Sequence, residues 1–542
     1  MKFFNFLKSE QKTVGKATLV ISFFMILSRF FGLIRDRLLA STFGPSVELD
    51  IYFAAFRIPD LIFSVVLAGG VLVSLLPLFS DYYKKDKDEA WKLINSVINI
   101  FVIALLVFSV LLFIFTPELV ALLLPGLAFE YIGQTVILVR LLFTGVFFLG
   151  LSSIFSTVIN YFDRFVVYSL APILYNICII LGIIFLAPTL GNLGPAIGVV
   201  VGAFFHFLIQ FLPTLKYGFK YRPIIDLNFK GVKDFFKLLF PRIISAAASQ
   251  VNLLVVIAIA STIAVGSISF FTLADNLRNL PLGFIGVAFA TAVFPHLSKA
   301  ITDKRMEDFS LQLRKVFQAI IYLALPITIL TFIMRDLIVN IILGTGQFTG
   351  YAVEITGACL GIFALSLIFQ CLEPTILRAY FSIKDTKTPA IISLAFLVVN
   401  FILSLSFVEL LKQNQTLNSF VLNLFNLESS EQVLLLGLVF AYNVSLILDF
   451  VLLFSFLKKK IGDFDFKKMR DSFLKISLSS VPMVLITLLV IKVFPAINDF
   501  WMNLLEFTVV TLIAFFVYYL FTLLFKTEEA KRIKEVVLKT LR

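Results

Sequence analysis

Long runs of apolar residues, separated by short polar stretches, fill the chain from about residue 17 to about residue 525. None alternates with the period of two that a membrane β-barrel strand needs. Each is long enough for a helix to cross a hydrocarbon core, which takes about 20 residues. The runs predict fourteen transmembrane helices, the first pair over 17–43 and 49–79, the seventh over 239–263, and the last pair over 472–494 and 500–525. The longest connections are 214–238 and 412–432, too short for a soluble catalytic domain. The expected fold class is therefore all-α, a polytopic membrane protein.

Charge adds orientation to that picture. Most of the 46 Lys and Arg fall in every second connection, as they should if those connections face the cytoplasm. With fourteen spans, both termini then lie in the cytoplasm. The net charge of +12 follows from these loops facing an anionic leaflet and does not call for a nucleic-acid partner. Sixty per cent of the residues are hydrophobic and the mean hydropathy is +1.00, outside the range of soluble domains.

The two halves echo each other at an offset of about 220 residues, as repeat-built transporters do. Arg57-Ile58-Pro59 corresponds to Asn279-Leu280-Pro281, and Asn160-Tyr161-Phe162 to Ala379-Tyr380-Phe381. Spans one to six map onto seven to twelve, and an even number of spans per unit makes the repeat parallel. The expected organisation is two six-helix lobes, 1–215 and 216–460, followed by 461–542 with two extra helices and a cytoplasmic tail.

An arginine at the centre of an apolar span costs roughly 2.5–3.5 kcal/mol on insertion scales, so it persists where it meets water, a partner or a ligand. Arg242, Arg335 and Arg378 lie near span ends, where snorkelling accounts for them. Arg29, Arg57 and Arg278 sit deepest. Arg29, Gly32 and Asp36 share one face of span one with Arg35 nearby, and Gly32 lets backbone or ligand approach closely. Asp50 and Arg57 lie on one stripe of span two. Asp275 and Arg278 repeat the pairing in span eight, and Pro281 follows Arg278 as Pro59 follows Arg57. Internal salt bridges and an anion site are both open readings of these pairs. Arginines outnumber aspartates across the three spans, and the planar guanidinium suits phosphate oxygens, so an anionic cargo is expected. Gly69-Gly70 and the prolines at 59, 77, 281, 295, 326 and 374 are compatible with bends or hinges in a moving bundle.

Catalytic chemistry is absent from this pattern. His206 and His296 are the only histidines and have no neighbours at metal-ligand spacing, and Cys178, Cys359 and Cys371 stand singly in apolar spans. No phosphate loop or nucleophile elbow is found. Neither an enzyme nor a metal or other cofactor is expected, and any energy source is a gradient, a membrane potential or the cargo itself.

Two long segments carry a family resemblance. Ser28-Arg29-Phe30-Phe31-Gly32-Leu33-Ile34-Arg35-Asp36, with Asp50-Ile51-Tyr52-Phe53-Ala54-Ala55-Phe56-Arg57-Ile58-Pro59, resembles the opening of the MurJ (MviN) lipid II flippase family. Leu377-Arg378-Ala379-Tyr380-Phe381, running on to Asp385-Thr386-Lys387-Thr388-Pro389, resembles the same family's R-A-F-Y-x-x-x-D-T-K-T-P loop. Gly266-Ser267-Ile268-Ser269 with Ala274-Asp275 resembles its span-eight segment.

The resemblance implies the multidrug/oligosaccharidyl-lipid/polysaccharide (MOP) exporter fold, with two lobes around a central cavity and two further helices forming a groove for a lipid tail. It implies a cargo, lipid II, carried by alternating access across the bacterial inner membrane, with cell-wall synthesis proteins and membrane lipids as further partners. Arg29, Arg35, Arg57 and Arg278 are then expected to grip the diphosphate, supported by Gly32, Asp36, Asp50, Asp275 and Asn276. The chain departs from the family at Phe63 and Ala68-Gly69, where relatives carry charges, and at Asn276, where they carry Arg. Val256 stands where some relatives place Asp or Asn, so no sodium site carries over. Those departures keep open a flippase for another polyprenyl-diphosphate-linked oligosaccharide, and more remotely a drug/cation antiporter.

Overall fold

The computed structural model describes residues 14–64, 71–425, 427, 429–462, 465–494, 499–531 and 535. Among them no strand forms beyond one isolated bridge between Thr345 and Phe348. The expected hinge Gly69-Gly70 and the departure at Ala68-Gly69 lie outside the described residues. The chain forms two compact units, one of residues 1–269 with 345–348, the other of 270–344 with 349–542.

The first unit holds α1 (Val14–Phe43), α2 (Val47–Ala55), α3 (Arg57–Phe63), α4 (Val71–Lys85), α5 (Lys87–Leu123), α6 (Phe129–Tyr161) and α7 (Phe165–Leu181). A π-helical turn, Gly182–Leu186, leads from α7 into α8 (Ala187–Leu190), and α9 (Leu193–Leu215) and α10 (Lys230–Ser261) complete the unit. The unit runs past residue 215 because α10 packs on α3, α4 and α5.

Close packing in this unit comes from small residues. Gly194, Gly198 and Gly202 recur every fourth residue along α9 and so form one edge, Gly198 and Gly202 facing α7 and Gly194 facing Leu186-Ala187 just beyond it. A Cβ at Gly198 would stand 2.6 Å from the Cys178 carbonyl oxygen, and one at Gly202 2.8 Å from that of Tyr175. Only hydrogen fits there, the arrangement that lets membrane helices gain dispersion energy by bringing backbones together.

The connection from α9 to α10 is tied to α5 by two buried asparagines. Asn95 donates to the Trp91 and Lys220 carbonyls (2.9 and 3.0 Å) and accepts from the Arg222 N–H (2.8 Å). Asn99 donates to the Arg222 and Ile224 carbonyls, both at 2.9 Å. These bonds satisfy a backbone that Pro223 keeps from being helical.

The second unit contains α11 (Ser267–Pro281) from Phe270 onward, a π-helical stretch Leu282–Val287, α12 (Ala288–Thr302), α13 (Met306–Ile333), α14 (Arg335–Leu343), α15 (Tyr351–Ser382), α16 (Lys387–Gln413), α17 (Gln415–Phe425), α18 (Ser430–Ile461), α19 (Phe466–Ile491) and α20 (Phe500–Leu524). α19 packs on α13, and Tyr518 of α20 donates to the Tyr322 carbonyl at 2.8 Å. The core runs from Leu297 and Phe317 through Ile376 to Met483 and Ala514, so the last two helices share it.

Eleven helices among the described residues are long and apolar enough to cross a membrane. The three expected spans that miss this mark are the first, second and seventh. The first, on α1, carries Arg29, Arg35, Asp36 and Arg37, and the second turns at Phe56 between α2 and α3, with residues 65–70 outside the described ones. The seventh lies within the continuous helix α10, of which Gln250–Ser261 is the described apolar stretch. The connection expected at 412–432 also contains a helix, α17, whose start Asn414 caps by accepting from the Leu417 N–H at 3.0 Å. Of the prolines, Pro59 lies three residues past the Phe56 turn and Pro281 opens onto the π-helical stretch, whereas Pro77, Pro295, Pro326 and Pro374 lie inside continuous helices.

The Asp-Thr-Lys-Thr-Pro motif has a local structural reason. Lys384 takes a left-handed conformation (φ 60°) that ends α15, with the Asp385 N–H donating back to the Tyr380 carbonyl at 3.0 Å. The Asp385 carboxylate then accepts from the Lys387 and Thr388 N–H groups, both at 3.1 Å, and starts α16. Lys460 at the end of α18 pairs with it. Burial raises the Asp385 pKa, but hydrogen bonds from Lys460 and Thr388 and the Lys460 charge outweigh that and hold it down to about 2. A depressed carboxylate contributes stability that is present above its unfolded value near pH 4 and lost only as pH falls through the folded value. The junction is thus unaffected between about pH 5 and 8. Asp385→Ala is expected to lower stability by about 1 kcal/mol, the usual worth of a cap. The check is a fall in apparent melting temperature in detergent that is equal across that range.

Candidate functional site

In the first unit, α1, α2, α3 and α7 bring polar groups together inside apolar surroundings. Arg35 donates through Nε and Nη2 to Asp36 Oδ1 (2.9 and 2.7 Å) and through Nη1 to Asn176 Oδ1 of α7 (3.1 Å). Tyr52 and Tyr175 lie within electrostatic reach of Arg35 and of Asp60, and Arg57 acts on Asp60 in turn. Arg35 is therefore held by protein partners on both sides of its planar fork. Arg29, one and a half turns earlier on α1, is exposed and makes no hydrogen bond or ion pair among the described residues. An added Cβ on Gly32, between them, would meet nothing within 4 Å, so the face of α1 beside it is open.

Asp50 does something the stripe pattern did not foretell. Its carboxylate accepts from the Gly266 N–H (2.7 Å), the Ser269 N–H (2.8 Å) and the Ser269 hydroxyl (2.5 Å), though it lies 216 residues before the first of them. It thereby satisfies free donors at the start of α11. Beside it is a cavity of about 300 Å³, lined in part by Asp50, Leu124, Tyr131, Ser261 and Ile268. The family-like Gly-Ser-Ile-Ser segment is thus the donor half of a tertiary cap.

In the second unit Arg278 is buried, 7% exposed, and ion-paired with Asp275 one turn back. Its guanidinium carbon stands 4.6 Å from the Phe363 ring centre and 5.5 Å from that of Tyr442, so aromatic faces replace part of its lost hydration. Asn279 donates to the second oxygen of Asp275 at 3.2 Å. Arg278 Nε and Nη1 are enclosed and form no hydrogen bond. Asn276, beside Asp275, is half-buried. Arg278 also lines an apolar cavity of about 320 Å³ with Pro281, Phe284, Ile338 and Phe507, the last from α20.

Three side chains in these surroundings escaped the sequence reading: Tyr442, Glu373 and Asp449. Tyr442 is a neutral partner of Arg278 on a distant helix, and no spacing links the two. Glu373 and Asp449 were visible by the same rule that drew attention to the arginines, since they too are charges inside apolar spans. His206 is a core residue, its Nδ1 2.8 Å from the Ser152 hydroxyl, while His296 is exposed. Among the described residues no group of His, Cys, Asp and Glu has metal-holding geometry, and the three cysteines are unbridged.

An all-helical chain whose described residues include eleven helices long and apolar enough to cross a membrane defines a polytopic membrane protein, and its fold is the one seen in transporters of the MOP superfamily. The fold agrees with a multidrug MATE family transporter of that superfamily in its inward-facing conformation, at a TM-score of 0.63 and 14% identity over 82% of this chain and 99% of that one. The family described as lipid II flippase MurJ matches residues 39–511, and the chain belongs to that family. The structure of a lipid II flippase MurJ in an inward closed conformation superposes with a TM-score of 0.74 at 28% identity, covering 92% of this chain and 99% of that one. The lipid II flippase MurJ of Burkholderia cenocepacia is 29% identical over 409 residues, 73% of this chain and 78% of that protein.

Proposed function

We propose that this protein moves lipid II from the inner to the outer leaflet of the bacterial inner membrane by alternating access, as a transporter and not an enzyme. The observation that carries this reading, within the family, is Arg29: an exposed guanidinium in an apolar helix with no ion pair among the described residues. A diphosphate offers the charge and the paired oxygens that such a group lacks. Arg35 and Arg57 extend the basic surface of the first unit. Arg278 contributes a buried guanidinium beside an apolar cavity, which suits a cargo with an anionic head and a hydrocarbon tail. Gly32 keeps the approach open, Asp36 and Asp275 orient their arginines, Asp50 sets the start of α11, and Asn276 stands where relatives carry arginine.

The two lobes expected at 1–215 and 216–460, with the last two helices serving the lipid tail, fit this mechanism. The alternation of basic loops supports cytoplasmic termini. Membrane lipids and cell-wall synthesis proteins are further partners compatible with this role. Asn276 and Phe63 favour a second reading, a flippase for a different polyprenyl-diphosphate saccharide. The likeness to MATE transporters is one of fold and gives no support to drug export.

Rescue of a bacterium depleted of its own lipid II flippase tests the reading. The wild-type gene is expected to restore growth and to expose lipid II at the outer leaflet. Arg29→Ala is expected to lower rescue at least about tenfold, since a charge-assisted hydrogen bond is worth roughly 1.5–3 kcal/mol. A wild-type protein that is inserted and abundant yet leaves lipid II inside would refute lipid II as the cargo.

A further inference from the structure

The connection between α16 and α18 holds a helix that the grip on the cargo does not use. α17 has eleven residues, Gln415–Phe425, with no charge among them, whereas about 20 are needed to cross a hydrocarbon core. It joins the ends of α16 and α18 that are remote from Lys387 and from Lys458, Lys459 and Lys460.

At about 3.6 residues per turn, the side chains of α17 fall into three sectors. Asn418, Leu422 and Phe425 form the first, which faces protein. Asn418 is buried and donates to the Leu411 carbonyl at 3.3 Å, and the Arg335 guanidinium carbon stands 5.5 Å from the Phe425 ring centre. Gln415, Ser419 and Asn423 form the second, polar and exposed. Leu417, Phe420, Val421 and Leu424 form the third, at the i, i+3, i+4, i+7 spacing of an apolar face. Within it Phe420 is 61% and Leu424 60% exposed.

A helix on an aqueous surface needs two faces, one against protein and one polar. The separate apolar face of α17 calls for a third medium, and α16 identifies it. Among the described residues α16 is the least buried of the candidate spans. Its outward stripe of Val398, Phe401, Ile402, Leu405 and Leu410 runs to within a turn of the helix end, next to the start of α17. Phe420 and Leu424 therefore extend a surface that lipid already covers. With no charge on α17, the contact is burial among acyl chains and not attraction to headgroups.

We propose that α17 is an interfacial helix, lying along the bilayer with Phe420 and Leu424 inserted among the acyl chains and Gln415, Ser419 and Asn423 in water. It sets the depth at which the adjoining ends of α16 and α18 sit. The placement holds whatever the cargo is.

Nitroxide labels on Ser419→Cys, Phe420→Cys, Asn423→Cys and Leu424→Cys test it, one at a time, in full-length protein in phosphatidylcholine vesicles with Cys178, Cys359 and Cys371 replaced by alanine. Oxygen concentrates in hydrocarbon and a nickel chelate stays in water, so the ratio of their collision rates with a label reads its depth. Labels at 420 and 424 are expected about 5–10 Å below the phosphates, and labels at 419 and 423 in water. The depths are expected to be the same in phosphatidylglycerol vesicles; deeper insertion there would overturn the assignment to acyl chains. A second measurement keeps the native cysteines. Benzoylphenylalanine at position 420 is expected to attach phospholipid under ultraviolet light, and the same group at 419 is not. Equal nickel accessibility at all four positions overturns the proposal, as does closure of 420 and 424 to both reagents with photo-attachment to a second chain. Neither measurement involves lipid II, so failure here is separable from failure of the flippase reading.

Discussion

Arg278→Ala is expected to abolish rescue of a flippase-depleted strain and to reduce the amount of folded protein. The substitution leaves the Asp275 carboxylate facing Phe363 and Tyr442 without its counter-charge, and breaking a buried pair from one side costs about 3–5 kcal/mol. Loss of function alone would not separate a packing role from contact with cargo. The double variant Arg278→Ala/Asp275→Ala does so, because it removes both charges together. Its abundance is expected to return to near the wild-type level while rescue stays absent. Return of both would mean that Arg278 serves packing only.

Asp50→Ala carries the second large effect. Three buried donors at the start of α11 lose their acceptor, and each left unsatisfied costs about 1–3 kcal/mol. Some of this is recovered as water enters the adjoining cavity, so a net loss of roughly 3 kcal/mol is expected, enough to shift a local equilibrium more than a hundredfold. Rescue should fall to the vector level, and the apparent melting temperature should drop. Asp50→Asn keeps one carbonyl acceptor and is expected to fall between alanine and wild type. An alanine variant that rescues fully would mean that the start of α11 needs no cap from α2.

The sequence made the helical, membrane-spanning class plain because hydropathy over about 20 residues is a local property. The same property marked the expected spans at 17–43 and 49–79, which hold Arg29, Arg35, Asp50 and Arg57. Arginines were legible as costly residues, and the Asp275–Arg278 pairing followed from helical spacing. The partners of Arg35 and Asp50 were not legible, since Asn176 lies 141 residues from Arg35 and Gly266 216 residues from Asp50. The charge balance was also read too narrowly. Weighing only the first, second and eighth spans gave an excess of positive charge and left out Glu373 and Asp449, on the tenth and twelfth.

The glycine edge of α9 bears on where the first unit can deform. Where α7 and α9 meet through main chain at Gly198 and Gly202, little side-chain material lies between them to shear over, so the pair is stiff there. Compliance must then reside in contacts cushioned by larger side chains, such as those of α5 with α6, or in the wider coil of the π-helical turn at Gly182–Leu186. The same rigidity narrows what evolution can try at Gly194, Gly198 and Gly202, where even a methyl group would have to displace main chain.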